Sequence, residues 1–83
     1  MNSSNVLKGF RGKRLLTQDD VAKKIGVSRQ VYNNYENDLV HCELNIVMKI
    51  LYYLDVNEDE ISEFLFALKQ DILSYKVIQE EEG

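Results

Sequence analysis

Arg29, Gln30, Asn33 and Asn34 fall within six consecutive residues, and each ends in paired donors or in a donor beside an acceptor. Such ends fit the edges of base pairs in the major groove. A guanidinium meets the two acceptors of guanine, and a carboxamide meets the acceptor and donor of adenine; each good pair gives about 1–3 kcal/mol of discrimination. The same residue types are common on any solvated helix, so the chemistry depends on the elements that hold them.

Those elements can be followed residue by residue. Thr17 can cap a helix with its hydroxyl, and Asp20, three positions on, weakly imitates the reciprocal acid of a capping box. Val21, Ala22 and Ile25 then make a buried stripe, with Gln18, Asp19, Lys23 and Lys24 on the wet side. Gly26 stops this helix, because glycine takes the left-handed conformation past a helix end without steric cost, and Val27 supplies an apolar contact at the corner. Ser28 is a good N-cap for a second helix running to Glu36 or Asn37, whose apolar side is Val31 or Tyr32 together with Tyr35. The register leaves Tyr32 open between core and DNA-facing positions. Arg29, Gln30, Asn33 and Asn34 remain outward on that second helix.

The pattern Leu7-Lys8, Phe10-Arg11, Leu16-Thr17-Gln18, Val21-Ala22, Ile25-Gly26-Val27-Ser28-Arg29, Tyr35-Glu36-Asn37, Leu44, Lys49-Ile50, Leu54 and Val56 resembles the Cro and repressor-type helix-turn-helix family, also called the xenobiotic-response-element class. The resemblance covers Leu7 to Ile61, about two thirds of the chain. It implies an all-α, compact, five-helix lambda-repressor-like DNA-binding domain, here with an extended C-terminal helix. It also implies that Gln18 touches the DNA backbone, and that Ser28, Arg29, Gln30, Asn33 and Asn34, with Asn37 closing the same helix, approach bases or phosphates. Arg11 and Glu36 occupy the places of a shielded structural ion pair, in which truncating one partner strands the other charge at a cost of several kcal/mol.

Departures from the family pattern bear on function. The segment after the second motif helix, Asp38-Leu39-Val40-His41-Cys42-Glu43, lacks the usual Gly, basic residue and Pro. Losing the basic residue and gaining Asp38 removes a phosphate contact and adds repulsion. Leu15 stands where a glycine is common, so the corner between the first two helices is expected to be built differently. Gly9 and Gly12 each cost the first helix about 1 kcal/mol relative to Ala, which leaves it dependent on packing of Val6, Leu7 and Phe10.

Composition bounds the rest. Eighty-three residues suffice for one domain with a modest core that a partner subunit would support. The absence of Pro and of alternating runs favours helices over sheet. The polar start Met1-Asn2-Ser3-Ser4-Asn5 is no signal peptide, and nothing approaches the ~18 apolar residues of a membrane span. One cysteine, Cys42, fits a reducing compartment, and a cytoplasmic protein is expected. The net charge of −4 is unevenly spread: Met1 to Glu36 carries +4 and Asn37 to Gly83 carries −8. A basic front and an acidic rear favour docking with the basic half forward.

Beyond the motif, a helix is predicted over Leu44–Leu54, apolar on most sides, with Leu44, Val47, Met48, Leu51 and Leu54 in one stripe and Ile46, Ile50 and Tyr53 in another. Such a helix belongs in a large core or at a subunit interface. Asn57 can cap the next helix and Glu60 can reciprocate, with Glu58 and Asp59 at its positive end. That helix is predicted over about 58–76, with a flexible acidic tail over 77–83. Its residues Leu65, Leu68, Ile72 and Tyr75, with Phe66 and Leu73, are expected to form a homodimer surface; the alternative is that the helix folds back over the first and completes the monomer core.

Catalysis and metal binding find no support, since His41 and Cys42 are adjacent with no third group to orient them. No enzyme activity, cofactor or metal is expected. Two classes remain. One is a dimeric repressor reading an inverted repeat in double-stranded DNA, as in phage, plasmid or restriction-modification switches. The other is a protein-binding helix-turn-helix module, antirepressor or antitoxin-like, acting through its acidic C-terminal half on a protein partner.

Overall fold

The computed structural model describes the backbone of residues 2–82 and the side chains of residues 2–74. Among the described residues five α-helices follow one another: α1 (Ser3–Lys13), α2 (Gln18–Ile25), α3 (Arg29–Asn37), α4 (Leu44–Leu54) and α5 (Glu58–Glu82), with one 3₁₀ turn over Leu39–His41. Among the described residues there is no strand, so the protein is the all-α, five-helix domain that the sequence predicts.

Local chemistry sets the helix ends. The Thr17 hydroxyl accepts from the Asp20 amide while Asp20 accepts from the Thr17 amide, completing the expected capping box. Gly26 closes α2 at φ 78°, and Ser28 caps α3 through the Val31 amide. Asn57 and Glu60 exchange the same reciprocal pair of bonds at the start of α5. At the corner after α1, Leu15 holds φ 57° and is 89 % exposed, with its amide bonded to the Gly12 carbonyl. The corner is therefore built on glycine-like geometry with a leucine in it, rather than differently as expected. Left-handed backbone costs a residue with a Cβ about 1–2 kcal/mol.

One core joins all the elements: Val6, Leu7 and Phe10 of α1, Val21, Ala22 and Ile25 of α2, Tyr32 of α3, Leu39 of the 3₁₀ turn, Ile50 and Leu54 of α4, and Phe64 and Ala67 of α5. The register left open for Tyr32 falls on the core side, where it is wholly buried. Leu39, in the segment that follows α3, is buried in this core.

Helix α4 divides differently from the two expected stripes. Ile50 and Leu54 are buried and Ile46, Val47 and Leu51 lean on the core, whereas Leu44, Met48, Tyr52 and Tyr53 face outward. Helix α5 packs first on α1, through Phe64 and Ala67, and Asp71 accepts both the amide and the hydroxyl of Ser3 at the start of α1. It runs on through Glu82 rather than stopping near 76. The segment after Tyr75 holds no Gly or Pro before Gly83 and ends in strong helix formers, so nothing in it interrupts the helix. A helix of 25 residues is about 37 Å long, which accounts for the 41 Å long axis of the molecule.

Candidate nucleic-acid interface

Helix α3 has one inner face and one outer face. Tyr32 and Glu36 point inward and are fully buried; Arg29, Gln30, Asn34 and Asn37 are exposed, as is the capping Ser28, and Asn33 is half-buried between the two faces. Every side chain assigned to DNA contact from the sequence thus lies on or beside one surface, formed by the start of α2 and the length of α3.

An ion pair anchors that surface. Arg11 Nε donates to Glu36 Oε2 and Arg11 Nη2 to Glu36 Oε1, both at 2.9 Å, while Nη1 donates to the Leu16 carbonyl at 2.9 Å. Glu36 has no exposed side-chain surface and Arg11 keeps 19 %. Burial pushes the Glu36 carboxyl upward, but Arg11, the neighbouring Tyr32 hydroxyl and the Gln18 amide outweigh it and hold the group below its ordinary value. Arg11 is raised in turn by its bonds to Glu36, against its own burial. The Tyr32 hydroxyl lies near both charges, yet among the described residues no partner meets it in hydrogen-bonding geometry. Its burial, and then the adjacent carboxylate, keep it far above its usual value. A bidentate, shielded pair of this kind ties α3 to α1 with a defined geometry.

Gln18 extends the network outward. Its Nε2 donates to Glu36 Oε1 at 3.2 Å and to Asn33 Oδ1 at 2.9 Å, so the residue expected at the DNA backbone is also part of the internal support of α3. On the exposed side Gln30 Nε2 donates to Asn34 Oδ1 at 3.3 Å, one helical turn along. Arg29 flanks a groove lined by Arg11, Leu16, Thr17, Gln18 and Asp19, between the starts of α2 and α3. Lys23 is paired at the surface with Asp19, 3.1 Å away, and Lys49 Nζ reaches the Ile25 carbonyl at 3.4 Å, tying α4 to the end of α2.

Sequence reasoning missed a second ion cluster. Arg14 Nη2 donates to Glu60 Oε1 at 2.5 Å and Nη1 to Oε2 at 2.9 Å, with Lys13 at 3.5 Å. The Arg14 bonds, reinforced by the Asn57 amide, hold the Glu60 carboxyl down at about 2. The cap at Glu60 was legible from spacing; its partner, 46 residues earlier in the chain, was not. His41 pairs with Asp38 at 2.7 Å rather than with Cys42. The Cys42 thiol points at the carbonyls of Tyr35 and Asp38, and burial, then the Asp38 charge, push it up, the opposite of an activated nucleophile.

Of the residues expected at a subunit interface, Leu65 and Ile72 are each 55 % exposed, Leu68 is partly covered by the core, and the Tyr75 side chain lies outside the described residues. Leu65 and Leu68 line an apolar groove with Leu44, Met48 and Leu51 of α4 and Ile61 of α5. No helix among the described residues is long and apolar enough to cross a membrane.

Two short helices at a left-handed glycine corner, the second buried on one side and presenting amide and guanidinium groups on the other, define a helix-turn-helix protein. A family model described as Helix-turn-helix matches residues 7–61, and the chain belongs to that family. It is 39 % identical over 57 residues, 69 % of this chain and 86 % of the relative, to an uncharacterized HTH-type transcriptional regulator of Methanocaldococcus jannaschii. No solved structure matches the chain significantly.

Proposed function

We propose that the protein is a sequence-specific DNA-binding transcriptional regulator of the cytoplasm, acting as a dimeric repressor that lays α3 of each copy in the major groove of an inverted repeat. The observation that carries this reading is the pairing on α3 of an exposed row, Arg29, Gln30, Asn34 and Asn37, with a buried anchor, Tyr32 and Glu36. Side chains that read bases need a backbone that does not yield, and the Glu36–Arg11 pair supplies it. The family and the name of the relative support the same direction.

A dimer is supported by the apolar row Ile61, Leu65, Leu68 and Ile72, spaced by four, three and four residues along α5 with three of the four more than 40 % exposed. That spacing makes a narrow seam suited to a facing helix. Half-sites would then lie about 34–36 Å apart. Selection of bound duplexes from a random library at near-physiological salt tests the reading. Recovery of an inverted repeat supports it, and the Arg29→Ala variant should then lose preference at one defined base pair per half-site while the rest of the site persists. Light scattering should report a dimer for the parent protein and a monomer for Leu65→Glu.

The exposed apolar groove between α4 and α5, on the half of the chain carrying −8, favours a second reading, a module that binds another protein. A folded protein that enriches no duplex supports that reading over the first.

A further inference from the structure

We propose that Gln18 is a positioning residue that fixes which end of the Asn33 carboxamide faces the ligand, so that Asn33 acts as a hydrogen-bond donor and selects an acceptor-bearing base edge, guanine in preference to cytosine. The inference rests on the DNA-binding reading above and deepens it.

The argument starts from the buried carboxylate. Glu36, ionised and paired with Arg11, can only accept hydrogen bonds. The end of Gln18 that meets it at 3.2 Å must therefore be the NH2 group. That nitrogen carries two hydrogens, and its second bond, at 2.9 Å, goes to Asn33. The Asn33 atom meeting it must be an acceptor, which is Oδ1. The orientation of both amides thus follows from one fixed charge, with no need to see a hydrogen. What Asn33 has left to offer is its own NH2. A carboxamide held this way is poorly set for the paired contact to adenine, which needs oxygen and nitrogen turned outward together, and well set for the N7 and O6 acceptors of guanine. Cytosine offers an amino donor there and is rejected, donor against donor. The exposed Gln30–Asn34 bond, at 3.3 Å, has no buried charge behind it and leaves those two amides free to turn.

Two measurements test this. In the free protein, side-chain amide NMR should show both Gln18 NH2 protons slowed in exchange and those of Asn33 exchanging freely; slowed Asn33 protons beside free Gln18 protons would overturn the orientation without reference to DNA. In duplex selections, Asn33→Asp keeps an acceptor toward Gln18 and replaces the outward donor with an acceptor. Beyond a general weakening from the added charge, the guanine-to-cytosine ratio at one position per half-site should reverse, by roughly tenfold or more. Gln18→Ala, verified as folded by circular dichroism, should relax the same position toward adenine. Uniform weakening by both variants with every base preference intact would refute the proposal, leaving Gln18 and Asn33 as backbone contacts. No enrichment by the parent protein would remove the DNA reading itself, and this proposal with it, while the NMR result would still stand or fall alone.

Discussion

Replacing Arg11 with Met removes the charge that compensates Glu36 and keeps an apolar stem of similar reach. Glu36 has no solvent-exposed side-chain surface, so the carboxylate left behind has the Gln18 amide and no cation. Breaking a buried pair in this way costs about 3–5 kcal/mol. A domain of 83 residues holds a net stability of about 4–12 kcal/mol, so Arg11→Met should lower the melting temperature by on the order of 20 °C. Glu36→Leu should cost less, about 1–3 kcal/mol, because the stranded Arg11 keeps 19 % of its surface in water. The double variant Arg11→Met with Glu36→Leu should recover most of the loss, since an apolar pair of similar volume is often neutral or better. pH gives an independent check. In the parent protein the Glu36 carboxyl sits below its ordinary 4.5, so its contribution is present above that pH and fades as pH falls below it. In Arg11→Met burial dominates and the carboxyl rises above 4.5, so the deficit should be full near pH 7 and shrink toward pH 5. Urea unfolding followed by circular dichroism at both pH values measures all four proteins. An Arg11→Met deficit under about 1 kcal/mol, or one that does not change with pH, would refute the claim that this pair is shielded and anchors α3.

Three further outcomes are expected. Leu15→Gly relieves left-handed backbone at a side chain 89 % exposed; against the greater freedom it gives the unfolded chain, the net gain should be up to about 1 kcal/mol, and a destabilised variant in chemical unfolding would show that Leu15 makes a contact that matters. Gly9 sits inside α1 with nothing within 4 Å of an added Cβ, so Gly9→Ala should raise stability by about 0.5–1 kcal/mol, read from the same denaturation curves. Glu60, held at about 2 by Arg14 and the Asn57 amide, contributes stability that is present above its ordinary 4.5 and is lost as pH falls toward 2; acid titration of Glu60→Gln should therefore show a shallower loss over that window than the parent, and identical curves would mean the pair is not formed in solution.

What the sequence by itself determined lies within one or two helical turns. Thr17 with Asp20, Gly26, Ser28, and Asn57 with Glu60 fix helix ends through contacts between residues about three apart, so the motif and its corner were legible before any fold. The buried stripe of α2 and the outward row of α3 follow from the same short-range periodicity, and the place of the Arg11–Glu36 pair came from family resemblance. The burial of Tyr32 and the half-covered Leu68 needed the packed structure. So did the Gln18–Asn33, Arg14–Glu60 and Ser3–Asp71 contacts, which join residues 15, 46 and 68 apart. No local preference selects such partners. They meet because burying Leu7, Phe10, Tyr32, Ile50 and Phe64 in one core fixes the helix angles, and the polar groups at the rim of that core take the partners those angles bring within reach.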